Sequence, residues 1–206
     1  MGGSFDPVHI AHLRLATEAM EGLKLEKVRW IPSGAPGHRA EPQANTTQRH
    51  EMLRLACAPE SRFEIDAAEL TLTEPTYTIN TLKRLRAELG DSQPLVMLIG
   101  MDSLLGLHTL REWRSVFDLA HFGVAQRPGY ELKIEALDPS LQVMYEERVG
   151  DAAVLNRPHG HIVHFDSLAF PLSSSEIRAR LGAGKSVRYL LPDPVFEFID
   201  REGLYR

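Results

Sequence analysis

The sequence predicts an α/β protein built on a doubly wound parallel sheet. Strand-like and helix-like segments alternate along all 206 residues, which favours parallel strands joined by Rossmann-like helical crossovers. Residues 95–99 are continuously apolar, as is typical of a strand covered by helices on both faces, so we expect this strand to be central. The chain shows no internal repeat and no convincing linker. We therefore predict a single domain over residues 1–206.

The first half of the chain predicts three helices and two strands. Apolar residues from Ile10 to Met20 recur at helical spacing, Gly22 is placed to end that helix, and Asp6-Pro7 is a pair expected where a helix begins. A loop rich in proline and glycine follows the first strand. The predicted elements are, in order, a helix over 10–20, a strand over 28–31, a helix over 46–56, a strand over 63–65 and a helix over 79–89.

The second half continues the alternation and ends in helices. Gly100 and Asp102 directly follow the apolar strand, and Arg127 follows the next strand. We expect these residues at the carboxyl edge of the sheet, where open α/β folds bind ligands. The predicted elements are a strand over 95–99, a helix over 112–119, a strand over 121–125, a helix over 141–149, a strand over 162–165 and short helices over 173–206, the last of which would pack Val195, Phe198 and Ile199 onto the body.

Composition and charge argue against several functional classes. The 23 Lys and Arg residues against 28 Asp and Glu give a net charge of −5, which argues against a nucleic-acid surface, so any phosphate site must be built locally. Cys57 is the only cysteine, excludes an internal disulfide and fits a core thiol in a reducing cytoplasm. The longest apolar run is too short to span a bilayer, and no signal segment precedes Gly2. We expect a soluble cytoplasmic protein without membrane contact.

An anion site is indicated near the N-terminus, in the stretch GGSFDPVHIAH of residues 2–12. Two glycines and a serine let the backbone turn and aim N–H groups at a ligand, and the following helix start adds its dipole. His9 and His12 would share one helix face about one turn inside this site. One histidine near an Asp-Pro helix start would be an ordinary surface residue, but two on one face favour a function.

A second phosphate site is indicated by the sequence SSSEIR that begins at Ser173. Ser173 and Glu176 have the capping-box spacing, and taken alone the segment would be interpreted as a helix cap. Ser174, Ser175 and Arg178 also offer hydroxyl, N–H and guanidinium donors that suit a phosphate chain.

These two segments resemble the signatures of a known family. The first resembles the pattern G-[ST]-F-D-P-x-H-x-G-H of the nucleotidyltransferases that share the H-x-G-H element with class I aminoacyl-tRNA synthetases. The second resembles [IL]-S-[SA]-[ST]-x-I-R, which contacts the triphosphate in that family. The chain is similar to bacterial nicotinate-nucleotide adenylyltransferases over nearly its whole length. The resemblance implies a Rossmann-like nucleotidyltransferase fold with C-terminal helices.

The resemblance also implies an adenylyl transfer in NAD biosynthesis. The 5′-phosphate of nicotinate mononucleotide would attack the α-phosphorus of ATP, giving deamido-NAD and pyrophosphate without a covalent protein intermediate. Catalysis would come from alignment of the phosphates and neutralisation of charge. Mg²⁺ is the implied cofactor, and without clustered carboxylates it would be carried mainly by the ATP phosphates and water. The oligomeric state is left open.

Single positions receive roles from the same resemblance. His9 and His12 would donate to phosphate oxygens and Arg178 would hold the pyrophosphate, so these three residues would be catalytic. The ATP-binding residues would be Gly3, Ser4, Phe5, His38, Arg39, Gly100, Asp102, Ser174 and Ser175. The mononucleotide-binding residues would be Thr78, Arg127 and Trp113.

Some of these residues have structural alternatives. Asp102 could instead cap the helix that follows it, and for Trp113 we favour a place in the core over a wall of the pyridine pocket. His159, His161 and His164 invite a metal-binding interpretation. No acidic or sulfur partner is in register with them, so we expect loop or core roles and no protein metal site.

The chain departs from the family pattern at three points. Ala11 stands where H-x-G-H has glycine, and Gly37 replaces the second proline of the P-P-H-[KR] loop. Members usually have an apolar strand before the glycines, whereas here only Met1 precedes Gly2. If the chain is truncated or its start is assigned too late, the sheet lacks most of its first strand.

Two alternatives to this function stay open. Other transferases of the superfamily are one, although His9 stands where pantetheine-phosphate adenylyltransferases usually have threonine, and the match beyond residue 30 argues against these and against cytidylyltransferases. A nucleotide-binding regulator that does not turn over is the other, since Ala11 and the missing strand both depart from the family pattern. Fold alone does not separate these functions.

Overall fold

The computed structural model describes residues 1–36, 41–72, 74–129, 132–168 and 170–206. The chain divides into two compact units. Unit 1 comprises Met1–Thr17, Glu26–Thr76 and Ala169–Arg206, and unit 2 comprises Glu18–Leu25 and Tyr77–Leu168. The single domain that we expect over residues 1–206 stays a prediction.

The elements alternate as the sequence predicts. The described strands are β1 (Gly2–Gly3), β2 (Val28–Pro32), β3 (Ala35–Pro36), β4 (Phe63–Ile65), β5 (Pro75–Thr76), β6 (Val96–Gly100), β7 (His121–Gln126), β8 (Val149–Gly150) and β9 (Ile162–Asp166). The described α-helices are α1 (Ile10–Leu23), α2 (Thr46–Cys57), α3 (Thr78–Leu89), α4 (Met101–Leu105), α5 (Pro139–Arg148), α6 (Ser174–Gly182) and α7 (Asp193–Glu202). Within these ranges, each helix is too short or too polar to cross a membrane.

Unit 1 contains two small parallel sheets. β2 lies between β1 and β4 in the first sheet, and β3 pairs with β5 in the second. The first strand has two residues, paired as Gly2 with Ile31 and Gly3 with Pro32. β1 therefore contributes one short stretch of pairing to this sheet.

Helix α2 shows how local sequence builds unit 1. Asn45 and Gln48 form a reciprocal capping box, in which each side chain accepts the other residue's backbone N–H at 2.9 and 3.0 Å. Residues at helical spacing then face inward, and α2 packs against α7. The buried residues of the two helices are Arg49, Met52, Leu53, Ala56, Cys57, Val195, Phe198 and Ile199. The core positions expected for Cys57 and for the last helix are confirmed.

Unit 2 is built on a four-stranded parallel sheet in the order β6-β7-β9-β8. Its buried core includes Phe117, Phe122, Val124 and Ile162. β6 is at one edge of this sheet, so our expectation that the apolar strand is central is wrong for this sheet. A continuous apolar run indicates that both faces of a strand are covered. It does not indicate how many strands pair with its two edges.

A second departure lies in residues 112–119. No α-helix forms there, and the segment contains a 3₁₀ turn over Ser115–Asp118. Glu112 has φ of 54°, a left-handed conformation that a regular helix cannot contain. The α/β class with parallel strands and C-terminal helices is nevertheless confirmed throughout the described ranges.

Candidate active site

The N-terminal glycine loop in unit 1 is held in a strained but well-supported conformation. Phe5 has φ of 48°, and its ring is buried against Trp30 and, edge-on at 5.2 Å, against His12. A Cβ on Gly3 would lie 3.0 Å from the Phe5 ring, so any larger residue here would push that ring by a few tenths of an ångström. Phe5 therefore can present its backbone to a ligand, while its ring is committed to packing.

The start of α1 differs from the expectation. The helix begins at Ile10, so the idea that Asp6-Pro7 begins it is wrong, and this peptide bond is cis. The Asp6 carboxylate, 2% exposed, accepts from the backbone N–H groups of Gln43 at 2.8 Å and Ala44 at 3.1 Å and from the Tyr205 hydroxyl at 2.7 Å. The carboxylate oxygens of Asp6 are thus bound by segments far away in the chain. Such contacts cannot be predicted from the spacing of residues in the sequence.

The two histidines lie together, with their rings stacked at a centroid distance of 3.7 Å. His9 precedes the first helical residue, and its backbone N–H donates to Nδ1 of His12 at 3.3 Å. Burial lowers the pKa of His9 to about 4, and burial together with the charge of His9 lowers the pKa of His12 to about 3. Both rings are therefore neutral at pH 7, and because Nδ1 of His12 accepts, its proton is on Nε2. His12 is a single, oriented donor.

The serine-rich start of α6 is seated on the N-terminal loop within unit 1. Ser174 Oγ donates to the carbonyl oxygen of Pro7 at 2.9 Å. Arg178 Nη1 donates to the backbone carbonyl of Asp6 at 2.7 Å and lies 3.6 Å from its carboxylate. The two segments that we predict as phosphate sites are thus brought together by direct hydrogen bonds.

The capping interpretation of the same segment is also correct in part. Ser173 is the N-cap of α6, and its Oγ accepts from the backbone N–H of Glu176 at 3.2 Å. Ser175 Oγ lies 2.9 Å from Ser173 Oγ. A capped helix end can still bind an anion, because other N–H groups of the first turn have no intrahelical acceptor.

Two residues of this network were missed by sequence reasoning. Arg49 is 1% exposed and donates to backbone carbonyls of the loops after β1 and β2. Its position three residues before Met52 places it on the apolar face of α2, and a charged residue on such a face is the signal that could have found it. Tyr205 carries no comparable signal, since its partner Asp6 is 199 residues away.

Three of the predicted ligand-binding residues lie at one edge of the sheet in unit 2. Gly100 ends β6 and is paired in register with Ala125 of β7, and Arg127 follows the end of β7. Asp102 lies in the first turn of α4 with an exposed side chain. Gly100 is the N-cap of that helix and no side chain caps it, so the capping alternative for Asp102 is wrong.

The remaining predicted residues are placed as follows. Thr78 is the first residue of α3 in unit 2, where a backbone N–H is free of the helical ladder. Trp113 is 8% exposed within the core of unit 2, which confirms the core role that we favour for it. His38 and Arg39 lie outside the described residues.

A metal centre is not indicated by the described part of the chain, where no three His, Cys, Asp or Glu side chains are grouped to hold an ion. His164 lies on β9, and its Nε2 is 2.8 Å from the Tyr145 hydroxyl. His161 is in ring contact with buried His121. These histidines have the loop and core positions that we expect.

Comparison with known proteins relates this geometry to a family. A family model described as cytidylyltransferase-like matches residues 1–180. A "Probable nicotinate-nucleotide adenylyltransferase" of Dechloromonas aromatica is 46% identical, and one of Aeromonas hydrophila is 43% identical, each over 100% of this chain and 95% of the relative. A solved Plasmodium falciparum nicotinic acid mononucleotide adenylyltransferase complexed with NaAD superposes with a TM-score of 0.69 at 18% identity, over 99% of this chain and 94% of that one.

The structural likeness shows the fold, and the sequence matches show the relationship. Both extend over the N-terminal histidine loop and the α6 segment that unit 1 brings together. The chain therefore belongs to the cytidylyltransferase-like family and, within it, to the nicotinate-nucleotide adenylyltransferases.

Proposed function

We propose that the protein joins ATP and nicotinate mononucleotide to give deamido-NAD and pyrophosphate. The observation that carries this proposal is the seating of α6 on the histidine loop, through Ser174 on Pro7 and Arg178 on Asp6. An adenylyl transfer needs donors to two parts of one triphosphate at the same time, and this arrangement supplies both.

The donors of unit 1 divide between the phosphates. The backbone of Gly3, Ser4 and Phe5 and the Nε2–H of His12, with His9 beside it, would face the α-phosphate, where charge develops during transfer. The Ser174 hydroxyl donates its one hydrogen to Pro7, so the backbone N–H groups of Ser174 and Ser175, the Ser175 hydroxyl and the guanidinium of Arg178 would hold the departing pyrophosphate. No covalent intermediate is needed, because the mononucleotide phosphate is itself the nucleophile.

The magnesium ion would arrive with ATP as part of the substrate. Asp6 is the carboxylate nearest to the histidine loop in sequence, and its oxygens already accept from Gln43, Ala44 and Tyr205. The donor set around the loop suits phosphate oxygens and does not suit a cation. Mg²⁺ bound to the phosphates would neutralise part of their charge and orient them.

The second substrate and the nucleoside of ATP would be bound by the other positions that the family resemblance marks. Gly100 and Asp102 would contact ATP, with Asp102 facing the ribose, the backbone of Thr78 would meet the pyridine, and Arg127 would pair with the mononucleotide phosphate, while Trp113 belongs to the core. His38 and Arg39 would contribute to ATP binding. The proposal is supported by solved relatives complexed with NaAD and with APC.

Composition supports a cytoplasmic setting for this function. One buried thiol, Cys57, whose pKa burial raises to about 12, fits a protein of the reducing cytoplasm. The net charge of −5 fits small phosphorylated substrates and does not fit a nucleic-acid partner.

The function is tested by incubating the full chain with ATP and Mg²⁺ and one acceptor at a time: nicotinate mononucleotide, nicotinamide mononucleotide or phosphopantetheine. We expect pyrophosphate and a dinucleotide with the nicotinate acceptor, dependent on Mg²⁺. Product with phosphopantetheine would assign the protein to another transferase of the superfamily. If ATP binds and no acceptor yields product, the protein is a regulator and the proposal is wrong.

A further inference from the structure

A fully buried arginine lies behind the candidate phosphate site. Arg49 belongs to the first turn of α2, and only 1% of its surface is exposed. Burial lowers its pKa, while the nearby Asp6 carboxylate opposes that shift, so the guanidinium stays charged. A buried charge is costly and is retained where its hydrogen bonds organise the structure around it.

The hydrogen bonds of Arg49 join two loops. Nη1 donates to the carbonyl oxygens of Ser4 and Ser33, both at 2.8 Å, and Nη2 donates to that of Gly34 at 3.2 Å. Ser4 lies in the loop after β1, and Ser33 and Gly34 lie in the loop after β2. One planar fork therefore sets the distance and the angle between the carboxyl ends of two neighbouring strands.

The contact with Ser4 has a special consequence for the backbone. The Ser4 carbonyl belongs to the peptide that leads into Phe5, whose φ is 48°. A bulky residue holds this left-handed conformation only where the surroundings determine it, and the strain is of the order of 1–3 kcal/mol. By fixing the oxygen of this peptide, Arg49 also fixes the direction of its N–H, which points the opposite way.

The charges of this network favour an anion. Its charged side chains among the described residues are the guanidinium groups of Arg49 and Arg178 and the carboxylate of Asp6. Burial and the Asp6 charge raise the pKa of Tyr205, so its phenol is neutral. Among these three side chains two are positive and one is negative, which favours a phosphate at the loop.

We propose that Arg49 is a positioning residue for ATP: it holds the Gly3–Phe5 loop and the Ser33–Gly34 loop in the conformation that receives the triphosphate. This inference rests on the function proposed above. Arg49 does not touch the substrate in this proposal, because its fork is occupied by backbone carbonyls. It acts by setting the backbone donors of the loop, and misplacement of such donors by about 1 Å can cost about 10²-fold in rate.

The test is Arg49→Lys, which keeps the charge and removes the fork. Arg86 provides a matched control, because it is also buried, lies in a helix and donates to backbone carbonyls, those of Gly90, Gln93, Leu119 and Pro158 in unit 2. None of these four acceptors is a residue to which we assign substrate binding. Arg86→Lys therefore measures the cost of removing a buried fork without disturbing the phosphate loop.

The melting temperatures of Arg49→Lys and Arg86→Lys are measured first. The kinetics for each substrate are then measured well below these melting temperatures. We expect both variants to lose stability. We expect Arg49→Lys to lower kcat/KM for ATP by at least about tenfold while KM for nicotinate mononucleotide changes less than about twofold, and Arg86→Lys to stay within about twofold of the unmodified protein. Equal kinetic losses in the two variants, or unchanged ATP kinetics in Arg49→Lys, would make Arg49 a purely structural residue.

Two further measurements keep the outcome decisive. If Arg49→Lys does not fold, Arg49→Gln, which retains a shorter amide donor, is measured in the same way with the same expectation. Calorimetric binding of the Mg²⁺ complex of ATP is compared as well, since it does not require turnover. Weaker ATP binding in the Arg49 variants and unchanged ATP binding in Arg86→Lys would support the positioning role. This holds even if the unmodified protein makes no dinucleotide, a result that would overturn only the proposed function.

Discussion

At the residue scale, the donor that matters most is His12. Its Nδ1 accepts from the backbone N–H of His9, which leaves Nε2–H as the one donor of a neutral ring. The stacked His9 ring fixes that direction further. A donor oriented in this way costs little reorganisation when charge develops on a phosphate oxygen.

His12→Ala should therefore lower kcat more than it weakens ATP binding. The loss of one such donor typically costs about 10²–10³-fold in rate, and steady-state kinetics with varied ATP measure it. His159→Ala, in a loop of unit 2, is the control and should leave the kinetics unchanged. A loss of ATP affinity at constant kcat would show instead that His12 binds ATP before the reaction and does not stabilise the transition state.

Ala11 is the second residue whose effect can be predicted. It is half-buried and lies in the first turn of α1, at the position where the family has glycine. If its methyl crowds the nucleotide at a cost of roughly 1–3 kcal/mol, Ala11→Gly should lower KM for ATP or raise kcat/KM. Melting temperature should fall slightly, since glycine in a helix costs up to about 1 kcal/mol relative to alanine. Unchanged or poorer ATP kinetics would show that the pocket accommodates the methyl.

At the element scale, α6 combines a structural cap with a binding end. Ser173 caps the helix, while Ser174 and Arg178 tie it to Pro7 and Asp6. The two roles are carried by different residues, so mutation can separate them.

Arg178→Lys should impair catalysis, because a point charge does not replace a planar fork that contacts Asp6 and a phosphate together. Ser173→Ala should instead lower the free energy of unfolding by about 0.5–2 kcal/mol, the usual cost of losing an N-cap, with little change in kcat/KM. Chemical denaturation and steady-state kinetics of both variants give the comparison. If Arg178→Lys has the same kinetics as the unmodified protein, the start of α6 has a purely structural role.

At the scale of the whole molecule, histidines whose pKa values are lowered in the folded state make stability depend on pH. Burial lowers the pKa of His9 to about 4 and, with the charge of His9, that of His12 to about 3, and burial also lowers the pKa values of His121 and His164. In the unfolded chain these groups titrate near 6.5. Below that pH the unfolded state binds more protons than the folded state, so acid favours unfolding.

The free energy of unfolding should accordingly fall as pH drops from about 6.5 towards 4. We expect a loss of about 2 kcal/mol or more between pH 6.5 and pH 5, measured by urea denaturation. Ordinary carboxylates titrate mainly below this window. The double variant His9→Gln, His12→Gln should show a shallower slope, and a flat profile in the unmodified protein would contradict the burial of these rings.

Sequence by itself determined most of the elements and marked the two segments that we propose as phosphate sites. Strand 63–65 and the helix from Thr46 were predicted almost to the residue, because periodicity and capping depend on neighbours within one or two turns. The histidine loop and the SSSEIR segment were recognisable for the same reason. The α-helix predicted over 112–119 does not form, and Glu112 at its start is left-handed.

Only the tertiary structure decided how the site is held together. Asp6 is bound by residues 37, 38 and 199 positions away, and Arg49 reaches carbonyls 15, 16 and 45 positions away. β6 is an edge strand of its sheet, although its apolar sequence suggested the centre. Hydrogen bonds between distant segments and the lateral order of strands depend on packing in three dimensions, and no period along the chain records them.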